Sequence, residues 1–262
     1  MYLRDASERS FVPHTPTSSR CALGCDCVCL SRHETPIEEP LVSNKSQSPR
    51  YDEQDYELNL VVGSIFTVTP QEDRAAFESE REWVQEIQDL LRSEEIIIDL
   101  MANPGTNIWE GGIRHGVDLD RLCLVAAYLE NGMDFQSILN RPSKEEDDVD
   151  PLLEQIWEDE IDTQFPHLIK HQAIDGYYLP IDFPEPIWFL PEADAEGEDP
   201  DEDDVELFSF GSAPALLREL HMLRGLMQQF DVSPKHATMK CLNSLMEGAQ
   251  MSVNTDLPML IW

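Results

Sequence analysis

The net negative charge of this chain belongs entirely to residues 51–262, and this distribution limits the folds that the chain can adopt. The sequence holds 52 acidic and 18 basic residues, a net charge of −34. Residues 1–50 hold equal numbers of each sign, so the whole excess belongs to the remainder. Hydrophobic residues make up 41%, which is enough for a packed core. We therefore expect a folded unit whose surface is strongly acidic.

Such a surface predicts the class of partner. It repels phosphate backbones and anionic lipid surfaces, so we expect neither nucleic acid nor a membrane as a partner. A basic protein, in contrast, is attracted over a Debye length. The alternative is that the charge only keeps the protein soluble. The composition predicts no oligomeric state.

Cysteine usage and the lack of apolar runs indicate a location. No stretch approaches the roughly 20 apolar residues of a membrane span, and no export signal is visible. Cys123 and Cys241 lie in apolar helical patterns and are predicted to be buried free thiols. We expect a reducing, cytoplasmic compartment. The remaining cysteines are Cys21, Cys25, Cys27 and Cys29. Their spacing differs from that of zinc sites, and a soft-metal or redox role for them stays open.

The pattern along the chain predicts an α+β fold, a single domain with a mixed sheet and several helices over residues 56–262. Residues 1–55 are predicted to be a disordered tail and residues 191–206 an acidic loop. Predicted strands cover 57–68, 95–101, 177–181, 187–190 and 207–210. Predicted helices cover 70–92, 118–131, 166–174, 213–230 and 234–247, with one more starting at 151.

Several local expectations accompany this assignment. Thr69 is predicted to be the N-cap of the first helix, with Glu72 completing a capping box. The glycines near 111 predict irregular chain, and the prolines near 180 and 186 predict edge strands. Ser212 is predicted to be an ordinary N-cap rather than part of a phosphate site.

Two sets of side chains are candidates for chemistry or binding. His167 and His171, four apart on one predicted helix, form with Asp175 a possible metal set, although both histidines can equally be hydrogen-bonded or solvent-facing. Trp188 and Tyr177 are candidates for an interaction patch beside the acidic sequence. The alternative reading places the aromatic side chains in the core, namely those of Trp83, Trp109, Trp157 and Trp188. No cofactor is predicted.

The segment from Lys170 to Phe183 reads H-x-x-x-D-G-Y-Y-x-P-x-x-F from His171, and Gly211–Leu220 reads G-S-x-x-x-L-L-x-E-L. Over residues 160–230 the chain resembles a group of small, acidic, uncharacterised microbial proteins of the immunity type. The acidic insertion at 192–206 and the cysteine-containing tail depart from that pattern. The resemblance implies binding more than catalysis.

These observations lead to one functional hypothesis and two alternatives. The hypothesis is an acidic cytoplasmic binding protein that neutralises a basic protein, as an immunity-like inhibitor does, through residues 145–160 and 192–206. The predicted contacts in the second run are Glu198, Asp199, Asp201, Glu202, Asp203 and Asp204. The alternatives are a metal-dependent enzyme that uses His167, His171 and Asp175, and a structural interaction subunit. The balance of evidence is against an enzyme.

Overall fold

The computed structural model describes residues 57–141, 149–174, 176–189 and 208–262. All of them belong to one compact unit, Pro49–Trp262. The described residues form six strands and seven helices, so the predicted α+β class with a mixed sheet is confirmed. The predicted tail and acidic loop lie outside the described residues. In chain order the elements are β1 Leu58–Gly63, α1 Arg74–Ser93, β2 Asn107–Ile113, α2 Val117–Glu130, α3 Phe135–Leu139, α4 Pro151–Trp157, α5 Pro166–Ile169, β3 Tyr177–Leu179, β4 Ile187–Phe189, β5 Phe208–Ser212, α6 Ala213–Gln229, α7 Ala237–Thr255 and β6 Met259–Ile261.

The six strands form one sheet in the order β2-β1-β6-β3-β5-β4. Only β3 and β5 run parallel, and the other four neighbouring pairs are antiparallel. The C-terminal strand β6 lies between β1 and β3, so it joins the two halves of the sheet. The sequence analysis missed β6 and α3, because both are too short to show a period.

Apolar side chains on the two faces of the sheet form two separate clusters. One cluster packs under α1, where Val84, Ile87 and Leu91 meet Leu179 and Phe210. The larger cluster joins the opposite face to the remaining helices, chiefly α2, α6 and α7. The bounds predicted for the helices at 118–131 and 213–230 agree with α2 and α6 to within a residue, because both carry apolar residues at helical spacing. The helix predicted to end at 247 continues as α7 to Thr255.

The predicted strand over residues 95–101 is wrong. That segment is irregular, and Ile97 is 82% exposed. The strand lies instead at Asn107–Ile113, where the glycines led us to expect irregular chain. It forms because β1 provides a full antiparallel partner, with Leu60 opposite Gly111. Gly111 also leaves room for the ring of Trp109, since a Cβ there would lie 2.3 Å from the ring. Pairing therefore outweighs the β-propensity of the isoleucines.

The start of the first helix also differs from the prediction. Helix α1 begins at Arg74, and its N-cap is Asp73, whose carboxylate accepts hydrogen bonds from the N–H groups of Ala75 and Ala76. Thr69 and Glu72 do bond to each other, through the Thr69 N–H and hydroxyl. These bonds close a turn before the helix rather than its first turn. Two start signals occur four residues apart, and the second is the one that the helix uses.

Candidate interaction surface

Helix α5 is held in place by a buried carboxylate from α6. Both oxygens of Glu219 accept hydrogen bonds from the first turn of α5, from the His167 N–H at 3.1 Å and the Leu168 N–H at 2.9 Å. The Glu219 side chain is buried, and burial raises its pKa to about 8 against the opposing effect of these two bonds. Sequence reasoning missed Glu219, because its position in an amphipathic helix does not distinguish it from a surface acid.

His167 lies fully buried in the same junction, with both ring nitrogens bonded to backbone. Nδ1 accepts a hydrogen bond from the Ser212 N–H at 3.0 Å, so Nε2 carries the proton and donates it to the Phe183 carbonyl at 3.0 Å. Burial lowers the pKa of His167 to about 4. The ring is therefore neutral and leaves no free lone pair for a metal ion. Ser212 is also the N-cap of α6, as predicted.

His171 is buried beside the first histidine but is not on the same helix, because α5 ends at Ile169. This corrects the predicted helix over 166–174. The His171 Nδ1 lies 2.7 Å from the Ser209 hydroxyl, and its ring packs edge-on against Tyr178. Nε2 has no partner among the described residues, and burial lowers the pKa of the ring to about 3. The strand β3 that carries Tyr178 is internal, not at the predicted edge.

The metal set is only partly visible. Asp175 lies outside the described residues, so the three-residue site stays a prediction. Within the described ranges, no group of three or more His, Cys, Asp or Glu side chains is arranged to hold a metal ion. The motif residues His171, Tyr178, Gly211 and Glu219 instead support one another around α5. In the described part of the chain they build the fold.

An open groove of about 900 Å³ lies next to this junction, with an exposed tryptophan on α4 and another on β4. Trp157 is 49% exposed and Trp188 is 46% exposed, which corrects the prediction that they belong to the core. Trp83 is also exposed, at 37%, whereas Trp109 is packed against the core. We call this feature the Trp groove. Its lining is Trp157, Asp159, Ile169, Lys170, His171, Gln172, Glu185, Pro186 and Trp188.

The sheet register separates the two aromatic residues predicted to form a patch. Tyr177 and Ile187 are both opposite Phe210, so their side chains share one face of the sheet. Trp188 follows Ile187 and therefore points to the other face, where its partner is Ser209. Trp188 lines the groove, while Tyr177 packs under α1 against Phe210. Trp188 shares the groove with Trp157, a pair that sequence proximity does not reveal, and the interaction patch itself stays a prediction.

Exposed carboxylates extend from the groove along the end of α4. This α4 acidic segment comprises Glu154, Glu158, Asp159, Glu160 and Asp162, all exposed. Among the described residues only Asp159 has a basic partner, Lys170. The segment is the described end of the predicted contact run 145–160. The predicted contacts at 198–204 lie outside the described residues, so they stay a prediction.

A second acidic surface lies on α1, on the side of the helix away from the core. Its members, Glu78, Glu82, Glu86 and Asp89, repeat at helical spacing opposite the buried stripe of Val84, Ile87 and Leu91. Glu78 pairs with Arg81 and Asp89 with Arg92, whereas Glu82 and Glu86 have no ion pair among the described residues. We call this set the α1 acidic face.

Comparison with known proteins relates this acidic surface to DNA. A protein family described as "Putative DNA-mimic protein" matches residues 56–261, well over half of the chain. The chain belongs to this family. The match supports the predicted resemblance to acidic proteins, but the immunity type is not part of the family's description. No curated protein and no solved structure matches the chain.

Family membership overturns the partner prediction. We expected a basic protein and excluded nucleic acid, on the ground that an acidic surface repels phosphates. The description of the family as a DNA mimic implies partners that bind DNA, so the exclusion of nucleic acid from the account of partners was wrong, whereas a basic protein is compatible with the family. An acidic surface repels DNA on direct contact, but a mimic of DNA requires the same negative charge that DNA has. No helix in the described ranges combines the length and apolar character needed to cross a membrane.

Proposed function

We propose that this chain is an acidic DNA mimic that occupies the DNA-binding surface of a DNA-binding protein and thereby keeps DNA away from it. The observation that carries the proposal is that the net negative charge and the family match fall in the same part of the chain. The net charge of −34 belongs entirely to residues 51–262, and the family model matches residues 56–261. A protein that contacts DNA presents Lys and Arg to phosphates, and an acidic surface attracts the same groups.

The α1 acidic face has a spacing that suits this role. Carboxylates four residues apart on a helix are separated by about 6 Å along its axis. Phosphates on one DNA strand repeat every 3.4 Å along the axis, so every second phosphate lies about 7 Å further along the axis than the first. Glu78, Glu82 and Glu86 follow the helical interval, and Asp89 continues the row one turn further. A rigid helix holds these charges in line, so little entropy is lost when a partner binds.

Charge complementarity of this kind acts mainly on association rate and partner choice. It is screened by salt, so the complex is expected to weaken as ionic strength rises. The neutralising role and the cytoplasmic location inferred from the sequence are parts of this proposal. Within it, the chain neutralises its partner by competing with DNA for one surface.

The test uses the full chain, immobilised and exposed at low salt to lysate of its source. Retained proteins are eluted with duplex DNA and identified, and each is purified. We expect a protein that binds duplex DNA in a mobility-shift assay and releases it as the chain is added, with competitive kinetics. A retained protein whose DNA complex is unaffected by excess chain would contradict the proposal.

A charge-matched pair of variants tests the α1 acidic face. The first replaces Glu78, Glu82, Glu86 and Asp89 with their amides. The control replaces the same number of exposed acids elsewhere, namely Glu57, Glu110, Asp231 and Glu247. Both variants lose the same net charge, so only the position differs. We expect the first to lose at least several-fold more competition with DNA. Equal losses in the two variants would mean that the α1 acidic face is not the imitating surface.

A further inference from the structure

We propose that the Trp groove receives an arginine side chain of the DNA-binding protein. This inference rests on the proposed function, because it assigns a specific contact to that partner. The groove combines two half-exposed indoles with the carboxylate of Glu185, which has no ion pair among the described residues, and a guanidinium group complements both.

The aromatic part of the groove is held in a fixed position. The Trp157 indole N–H donates a hydrogen bond to the Ile169 carbonyl at 2.8 Å. Its polar atom is therefore used inside the protein, and the 49% of the residue that is exposed offers mainly ring surface. Trp188 is held by the pairing of β4 with β5 and exposes a similar fraction. A cation above the face of an exposed indole is attracted by the negative face of the ring, and more strongly when the contact excludes water.

The charged part of the groove selects a cation. Glu185 lines the groove, is exposed and has no ion pair among the described residues. Asp159 also lines it and pairs with Lys170, the one cation among the described residues of the lining. Beyond the lining, the exposed residues Glu158 and Glu160 flank Asp159 in sequence, and neither has an ion pair in the described part of the chain. The balance of charge around the groove is therefore negative.

Arginine fits this combination better than lysine. The guanidinium group is planar, so it can stack on an indole while its fork of N–H donors meets a carboxylate. An ammonium group forms a point contact and is more strongly hydrated. A DNA-binding protein presents arginine because arginine bonds to phosphates and to guanine edges. The groove thus accepts the same side chain that the partner would otherwise direct to DNA.

The direct test uses short peptides as probes and the full chain as receptor. Acetyl-Gly-Arg-Gly-amide is compared with its lysine and citrulline analogues while the indole N–H resonances are followed by NMR. Single Trp→Ala variants assign the signals. We expect the arginine peptide to shift the Trp157 and Trp188 signals and to bind at least threefold more tightly than the lysine peptide. Equal affinity of the two charged peptides, or shifts confined to other tryptophans, would overturn the proposal.

Matched variants separate the groove from the general charge. Trp157→Ala with Trp188→Ala is expected to abolish the arginine preference, whereas Trp262→Ala, which changes a tryptophan of equal exposure at 48%, is expected to leave it intact. Glu185→Gln, a surface change, is expected to lower arginine affinity severalfold even if the double variant folds poorly. An unchanged preference in Glu185→Gln and in the folded double variant would refute the groove as the binding site.

The DNA competition assay distinguishes failure of this inference from failure of the proposed function. If the unaltered chain displaces DNA from its partner and the double Trp variant does so equally well, the groove is refuted and the mimic stands. If the unaltered chain displaces no DNA, the proposed function fails, and with it the assignment of the groove's arginine to that partner. Weaker displacement by the double variant, with an unchanged dependence on salt, supports both.

Discussion

The buried carboxylate of Glu219 makes the stability of this protein depend on pH in a range where few other groups titrate. Its pKa rises from 4.5 to about 8 on folding, so between these values the folded state binds a proton that the unfolded state has lost. The stability that this group contributes is fully present below pH 4.5 and is lost as pH rises towards 8. The reason is that the folded state holds a proton that the unfolded state releases, and holding it costs more free energy at each higher pH.

The magnitude follows from linkage. One proton bound only in the folded state changes the free energy of unfolding by about 1.4 kcal/mol per pH unit. The buried rings of His167 and His171 also contribute between pH 6.5 and 7.5, because the unfolded state still releases protons from them there while the folded state, with its lowered pKa values, has none to release. This contribution raises stability by roughly 0.7 kcal/mol across the window, and it is the same with and without the Glu219 carboxylate, so a comparison of the two proteins isolates Glu219. Burial raises the pKa of the Cys241 thiol, which matters only near pH 9 and above.

The perturbation is Glu219→Gln, measured by urea denaturation at pH 6.5, 7.0 and 7.5. Across this window the unaltered protein is expected to lose about 1 kcal/mol of stability relative to Glu219→Gln, which lacks the titrating carboxylate. Gln at position 219 also alters the two hydrogen bonds to α5. That change shifts the free energy of unfolding by the same amount at each pH, so it does not affect the dependence on pH. Glu82→Gln, the same chemical change at an exposed site on α1, is the control and is expected to keep the slope of the unaltered protein.

Equal slopes in the unaltered protein and in Glu219→Gln would refute this reasoning, since they would mean that Glu219 is ionised in the folded state despite its burial. The opposite limb provides an independent check. Below pH 6.5 the two histidines become protonated in the unfolded state before they do so in the folded state, so the free energy of unfolding is expected to fall with decreasing pH. His171→Asn is expected to reduce that slope by about 1.4 kcal/mol per pH unit. An unchanged slope in this variant would show that the ring of His171 is charged when folded.

Two further predictions concern packing and capping. Gly211→Ala is expected to destabilise the protein by about 1–3 kcal/mol in denaturant, because a Cβ there would lie 2.6 Å from the ring of Tyr178; a change below 0.5 kcal/mol would show that the ring moves freely. Asp73→Ala is expected to cost about 1 kcal/mol through loss of the helix cap, whereas Ile97→Ala, at an exposed position, is expected to cost less than 0.5 kcal/mol. Equal effects of the last two substitutions would contradict the capping assignment.

Some features of the fold could be predicted from sequence because they are local. Helices α2 and α6 have apolar residues at helical spacing, and Ser212 immediately precedes α6 as its cap. The short strand β3 begins at the predicted Tyr177, although it ends at Leu179 rather than at 181 and is internal to the sheet rather than at its edge. Each of these depends on neighbours within a few residues, so the pattern in the sequence contains the information.

The candidate surface could be predicted only in part. The acidic run that ends near α4 was visible as sequence, and so was Trp188. The proximity of Trp188 to Trp157 could not be predicted, because the two lie on β4 and α4, which only the folded chain brings to one groove. Glu219 was missed for the same reason, since its partner His167 is 52 residues away.

By itself, the sequence determined the α+β class, the main helices and the confinement of negative charge to residues 51–262, because periodicity and charge are properties of neighbouring residues. Only the tertiary structure decided which of these residues are buried. It placed Ile97 in solvent and made the glycine-containing segment 107–113 a strand, because β1 was available to pair with it. It likewise buried Glu219 and both histidines and exposed Trp157, since burial depends on contacts between residues that are distant in the chain.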